Sequence, residues 1–232
     1  MNQLENSQPN TIGTLNEKTL HADLKWLLSE SHDQLEKQVE NYVIDIVRDE
    51  LLIEIQTSNF ASIRKKLENL VQNNKVCLVH PIIKDKWISN LDSHLNKINR
   101  GRLSPKHGSY LEIFEELIRI PHIVPHPNFT VELFLVQIEE LRKKNDKETR
   151  RRKNWSIYDK KLIRIVERKK FNDPKDFLSF IPNNLDTPFT NLKLAQSLKK
   201  PVRLAQKMSY CLRKMGALKV VGKKGNAYLF DL

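Results

Sequence analysis

Residues 42–57 read YVIDIVRDELLIEIQT, an aliphatic stretch that nevertheless carries Asp45, Glu54 and Gln56. Buried carboxylates cost several kcal/mol unless they are paired or hold a cation. Side chains alternate along a strand, so Asp45 shares a face with Val43 and Val47, and Glu54 shares one with Leu52 and Gln56. A two-residue turn at Arg48–Asp49 pairs Val47 with Glu50 and sets Asp45 diagonal to Glu54, about 7–8 Å away at Cα. A three-residue turn would separate them. Converging carboxylates are the hard oxygen ligands that Mg2+ (or Mn2+) takes when phosphate oxygens complete its shell. The chemistry such a pair can support is metal-assisted hydrolysis of a phosphodiester. A hairpin with one wet face fits less well, because the carboxylate-bearing face is otherwise Val43, Val47 and Leu52.

The elements that must position these residues follow from periodicity. Leu15, Leu20, Leu24, Leu27 and Leu28 mark a helix over 15–29, and a short strand is expected at 35–39. After the hairpin, Phe60, Ile63, Leu67, Leu70 and Val71 define a helix over 60–72, with Ser58 or Asn59 as its cap. Strands are expected at 76–80 and 86–91, and a helix at about 109–119. His122 and His126 fall in the proline-broken PHIVPHPN and are loop residues rather than metal ligands. FTVELFLVQIEELR suits strand or helix, strand for its first half. The fold class is α/β, a mixed sheet flanked by helices.

The order helix, strand, VID, IEIQ, helix, strand resembles the restriction-endonuclease-like superfamily, with its PD-(D/E)XK pattern, over roughly residues 14–82. The resemblance implies that Asp45 and Glu54 bind Mg2+, that Gln56 occupies the Lys position and orients water, and that Glu17 is the first-helix carboxylate. Ile44 stands where the pattern has proline, and Gln56 brings no positive charge. Arg64, Lys65 and Lys66 on the following helix are candidates to supply it, or else form a solvated basic face. His21, one turn beyond Glu17, either lines the same cleft or is an ordinary half-buried histidine. The alternative to an endonuclease is a catalytically silent, nuclease-like regulator or recruitment protein.

Charge divides the chain. Residues 1–141 hold 15 basic and 20 acidic side chains, whereas residues 142–232 hold 25 and 8. This asymmetry points to a polyanion-binding C-terminal part. Three units are expected: a nuclease-like domain over 14–141, a basic linker over 142–155, and a DNA-binding domain over 156–232. In the last, a helix at 157–169 and a short one near 174–180 precede a helix capped by Thr190, with Leu192, Ala195 and Leu198 inward. A second helix starts at Pro201 and stops at Gly216, and two strands follow with a basic tip. This pattern resembles the winged helix-turn-helix family, which implies contacts to double-stranded DNA from Arg203, Gln206 and Lys207 and from Lys223 and Lys224 in the wing. Arg100, Arg102 and Lys106 are phosphate contacts or part of a solvated loop. No membrane span, signal peptide or zinc cluster is legible, and the distant Cys77 and Cys211 read as reduced thiols, so a cytoplasmic location is expected. A homodimer is left open.

Overall fold

The computed structural model describes residues 19–144 and 155–232. Helix α1 (Thr19–Leu28) leads into β1 (Gln34–Val39), β2 (Tyr42–Arg48) and β3 (Leu51–Ile55). Helix α2 (Phe60–Leu70) then crosses to β4 (Lys75–Leu91), which pairs with the two-residue β5 (Arg102–Leu103). A 3-10 turn and the short α3 (Phe114–Leu117) precede β6 (Phe129–Lys144) and β7 (Trp155–Phe171). The sheet order is β1-β2-β3-β4-β6-β7, with β5 at the side of β4. The β3–β4 and β4–β6 pairs are parallel; β1–β2, β2–β3 and β6–β7 are antiparallel. The expected mixed sheet flanked by helices is present.

Both faces are covered, as the aliphatic runs require. On one, Leu20 and Leu24 of α1 pack on Ile46, Ile53, Ile55, Val79 and Val136. On the other, Phe60 and Leu67 of α2 and Phe114 of α3 cover Leu52, Leu78 and Val131. Helix α1 also satisfies β7: Asp23 Oδ2 accepts from Leu162 N–H at 2.8 Å.

The expectation for 157–169 is corrected from helix to strand. Ile157, Ile163, Ile165 and Val166 are the β-branched residues a strand favours. Register shifts along β6–β7, at Leu135/Val136, Gln137/Ile138 and Leu141/Arg142, break the alternation that would have identified it. The expected 142–155 linker therefore overlaps two paired strands at its ends: 142–144 belong to β6 and 155 to β7, and residues 145–154 lie outside the described residues. The expected strands at 76–80 and 86–91 are one, β4.

After β7 come a 3-10 turn over Pro174–Phe180, α4 (Asn191–Leu198), α5 (Val202–Lys214), β8 (Lys219–Lys224) and β9 (Ala227–Asp231). Thr190 caps α4 by accepting from Lys193 N–H, and Gly216, at φ 79°, lies past the end of α5. Leu204, Met208, Cys211, Leu212 and Met215 are buried as expected, whereas Leu192 is exposed and its neighbour Leu194 faces inward. These helices share the core of the sheet instead of standing apart. Phe171 at the end of β7 stacks on Phe177 at 4.3 Å, and Phe180 meets Phe114 edge-on at 5.7 Å. That core continues through Phe189, Met208 and Phe230.

Candidate functional site

The β2–β3 turn decides how the carboxylates meet. Pairing runs Arg48–Leu51, Val47–Leu52 and Ile46–Ile53, so the turn residues are Asp49 and Glu50, one step later than the expected Arg48–Asp49. Asp49 adopts φ 50°, which a tight hairpin turn demands and Asp tolerates. Arg48 is kept in the strand by Asp33 and Glu30, 2.8 and 2.7 Å from its guanidinium. The regular pairing ends at Ile46–Ile53, and Asp45 and Glu54 follow it on the two strands, near enough for the Asp45 charge to act on Glu54. Asp45 itself ends the rungs: its Oδ2 accepts from Ile55 N–H at 2.8 Å.

Two helices complete the cluster. From α1, His21 Nε2 donates to Asp45 Oδ2 at 3.1 Å. From α2, Lys66 Nζ donates to Glu54 Oε1 and to the carbonyl of Val43, each at 2.6 Å. Glu54 Oε2 is buried and has no hydrogen-bond partner among the described residues. Burial and the neighbouring Asp45 charge push the Glu54 carboxyl up to about 7 against the opposing pull of Lys66. At Asp45 burial acts in the same sense, but the His21 bond and charge, the Ile55 N–H and the Lys66 charge outweigh it and hold the carboxyl below its ordinary value. Near neutrality the pair thus comprises one firmly ionised acid and one poised to gain or lose a proton, the pattern of tuned sites.

Asp45 and Glu54 are brought together, and Gln56 is not part of their cluster. Its amide turns into the β3–α2 loop and donates to the Ser58 carbonyl at 2.5 Å. Glu17 lies outside the described residues. Of the three basic candidates on α2, Lys66 reaches the carboxylates. Arg64 pairs instead with Glu68 four residues on, and Lys65 is exposed. Helical spacing could have found this: Ile63, Lys66 and Leu70 lie on the sheet-facing side of α2 beside buried Leu67. His122 also meets Glu68, at 2.7 Å, in keeping with a loop role.

On the C-terminal side, Arg203, Gln206, Lys223 and Lys224 are exposed. Lys207 does not present a free charge, because it is ion-paired with Glu115 beside α3 and its side chain is 16% exposed. Lys207, expected as a DNA contact, is thus engaged in an ion pair within the fold. It lies one turn from Arg203 and next to the buried Met208, on the flank of α5 that faces α3. Lys223 sits over the Tyr228 ring at 5.2 Å.

The donor set fits a hard divalent cation in part. Asp45 and Glu54 offer two carboxylates and one buried, unpartnered oxygen, while His21 and Lys66 each already occupy one oxygen of the pair. Among the described residues, no group of three or more His, Cys, Asp or Glu side chains is gathered for a metal.

A family model described as "Domain of unknown function (DUF8091)" matches residues 18–172. The chain belongs to this family. The matched span runs from α1 to the end of β7, so the DUF8091 unit is the whole seven-stranded sheet with its carboxylate cluster, and α4, α5 and the β8–β9 hairpin are appended to it. An uncharacterized protein of Treponema pallidum (strain Nichols) is 26% identical over 188 residues, covering 81% of this chain and 74% of that protein. No solved structure matches the chain.

Proposed function

We propose that this DUF8091 protein is a Mg2+-dependent (or Mn2+-dependent) endonuclease that hydrolyses phosphodiester bonds of DNA. The observation that carries the reading is the pair Asp45 and Glu54 on the adjacent strands β2 and β3, with an unpartnered Glu54 oxygen and a lysine delivered by α2. Asp45 and Glu54 would hold the cation, which supplies Lewis-acid polarisation of the phosphate and a water of lowered pKa. Lys66, beside Glu54, would provide the positive charge that Gln56 lacks and meet the developing charge on the phosphate. His21 and the Ile55 N–H fix the Asp45 carboxylate through its Oδ2.

The DNA is held, in this reading, by the helix pair α4–α5 and the β8–β9 hairpin acting as a winged helix-turn-helix. Arg203 and Gln206 lie on the exposed side of α5, and Lys223 and Lys224 at the hairpin tip. Clustered basic side chains bind DNA by releasing condensed counterions. The cytoplasm is the compartment proposed. Among the described residues no helix is long and apolar enough to cross a membrane, and Cys77 and Cys211 are buried free thiols.

One observation favours a second reading, a nuclease-like DNA-binding scaffold without catalysis. Lys66 and His21 already neutralise the carboxylates, and the Gln56 amide is engaged in the loop. The test is incubation of the purified protein with supercoiled plasmid and with single-stranded DNA in Mg2+, Mn2+ or EDTA. Cutting that needs metal and disappears in Glu54→Ala is the expected result. Absence of cutting on both substrates with both metals, or equal cutting by Glu54→Ala, leaves the scaffold.

A further inference from the structure

A cleft of about 630 Å3 opens between β4 and the start of α5, a volume typical of small-ligand sites. Its wall begins at Thr57, three residues beyond Glu54, so the two Cα atoms are at most about 11 Å apart along the chain. The floor is apolar, with Ile82, Ile83 and Leu204, and His80 is set into it, 94% buried. His80 Nδ1 lies 2.6 Å from the Gln56 carbonyl, which can only accept, so Nδ1 carries the proton. Burial holds the ring below the ordinary histidine range and therefore neutral. Nε2 is left as a lone-pair acceptor within the cleft wall, and the Phe60 ring, edge-on at 4.9 Å, holds the imidazole in place.

The rim is charged, and its charges are unequal in availability. Glu115 is taken by Lys207, and Glu116 Oε2 accepts from Phe60 N–H at 3.0 Å at the start of α2. Glu112 is the remaining acid on the wall. Against it stand Lys106, Lys200 and Arg203, none of them in an ion pair among the described residues. An apolar floor, one fixed acceptor and a cationic rim match a flat heteroaromatic ring with an N–H donor and an attached phosphate.

We propose that this cleft binds one unpaired nucleotide, the base N–H donating to His80 Nε2 and the phosphate held by Lys106, Lys200 and Arg203. In a duplex the N–H edge of a base is occupied, so the site takes the base from a single strand or one turned out of the stack. A strand seated there continues past Thr57 toward Asp45 and Glu54. The inference stands without the hydrolytic reading, because binding is measured in EDTA.

The test uses the full chain and two probes, thymidine 5′-monophosphate and a fluorescein-labelled decathymidylate, with 2-deoxyribose 5-phosphate as the baseless control. The wild-type protein should bind the mononucleotide saturably and the control on the order of tenfold more weakly, since a hydrogen bond and the burial of the ring on the apolar floor are lost. Lys200→Glu and Arg203→Glu, both at the rim, should each weaken both nucleotide probes about tenfold or more. Lys223→Glu should affect the decamer alone. His80→Gln, which keeps an acceptor near the Nε2 position, should retain more affinity than His80→Asn, and circular dichroism checks that both fold. Binding of the decamer without the mononucleotide, still lost in Lys200→Glu, assigns the site to strands rather than to free nucleotides. Equal affinity for the baseless control, or nucleotide binding unchanged in both rim variants, overturns the proposal.

Discussion

Replacing Glu54 by Gln keeps the shape of the side chain and removes its charge, and the consequence depends on pH. In the fold, burial and Asp45 raise the Glu54 carboxyl from its ordinary 4.5 to about 7. A carboxyl raised on folding contributes stability that is present below its unfolded pKa and is lost as pH rises through the folded one. The lost contribution is about 3 kcal/mol, from a shift of roughly two and a half units at about 1.4 kcal/mol each. The side chain is 8% exposed, so solvent screens little of it. Relative to Glu54→Gln, the wild type should therefore lose up to about 3 kcal/mol between pH 4.5 and pH 8. For a chain of this length that amounts to roughly 6–12 °C in Tm. Urea unfolding of both proteins in EDTA at pH 5, 6, 7 and 8 measures it. A gap that stays constant within about 0.5 kcal/mol would show that Glu54 ionises normally and would refute the picture of a strained carboxylate pair. Adding Mg2+ at pH 8 should stabilise the wild type and not the variant, by about 2.7 kcal/mol at a hundredfold excess over Kd.

Lys66→Met should cost roughly 3–5 kcal/mol at pH 8, where it strands two ionised carboxylates, and distinctly less at pH 5, where Glu54 is protonated; the same urea series reads both. Phe177→Ala, at the stacked junction between β7 and the C-terminal helices, should cost about 3–5 kcal/mol. Calorimetry of that variant should still show one transition, because a single core joins the two parts; a separate melting of residues 174–232 would contradict this. Lys207→Ala should leave the affinity for double-stranded DNA within about twofold, whereas Arg203→Ala and Lys224→Ala should each lower the salt-dependence slope by about one, as seen by fluorescence anisotropy across a salt series.

The hairpin around Asp45 and Glu54 was legible from its dense aliphatic run, and helix α2 and the buried face of α5 from their 3.6-residue period. Strand β7 was not. Its bulges against β6 shift the alternation, and Tyr158, Leu162 and Ile165 fall at a spacing that a helix would also show. The basic run after Arg142 reads as a boundary between domains, although the strands on either side of it, β6 and β7, pair in one sheet. Nor does any periodicity announce that Phe171 will stack on Phe177, or that Phe177 and Phe180 will meet Phe114 edge-on and join the C-terminal helices to the core of the sheet.

Sequence alone singled out the residues of the candidate site: an Asp and a Glu embedded in apolar strands, a Gln where the resembled pattern has Lys, and three basic residues on the next helix. Local spacing and burial cost are enough for that, since both act within an element. Which of the three cations serves, that the turn falls at Asp49–Glu50, and that Lys207 is spent on Glu115 were decided by tertiary packing. Those outcomes depend on how α1, α2 and α3 are laid on the sheet, and the distance between elements is information that no single element contains.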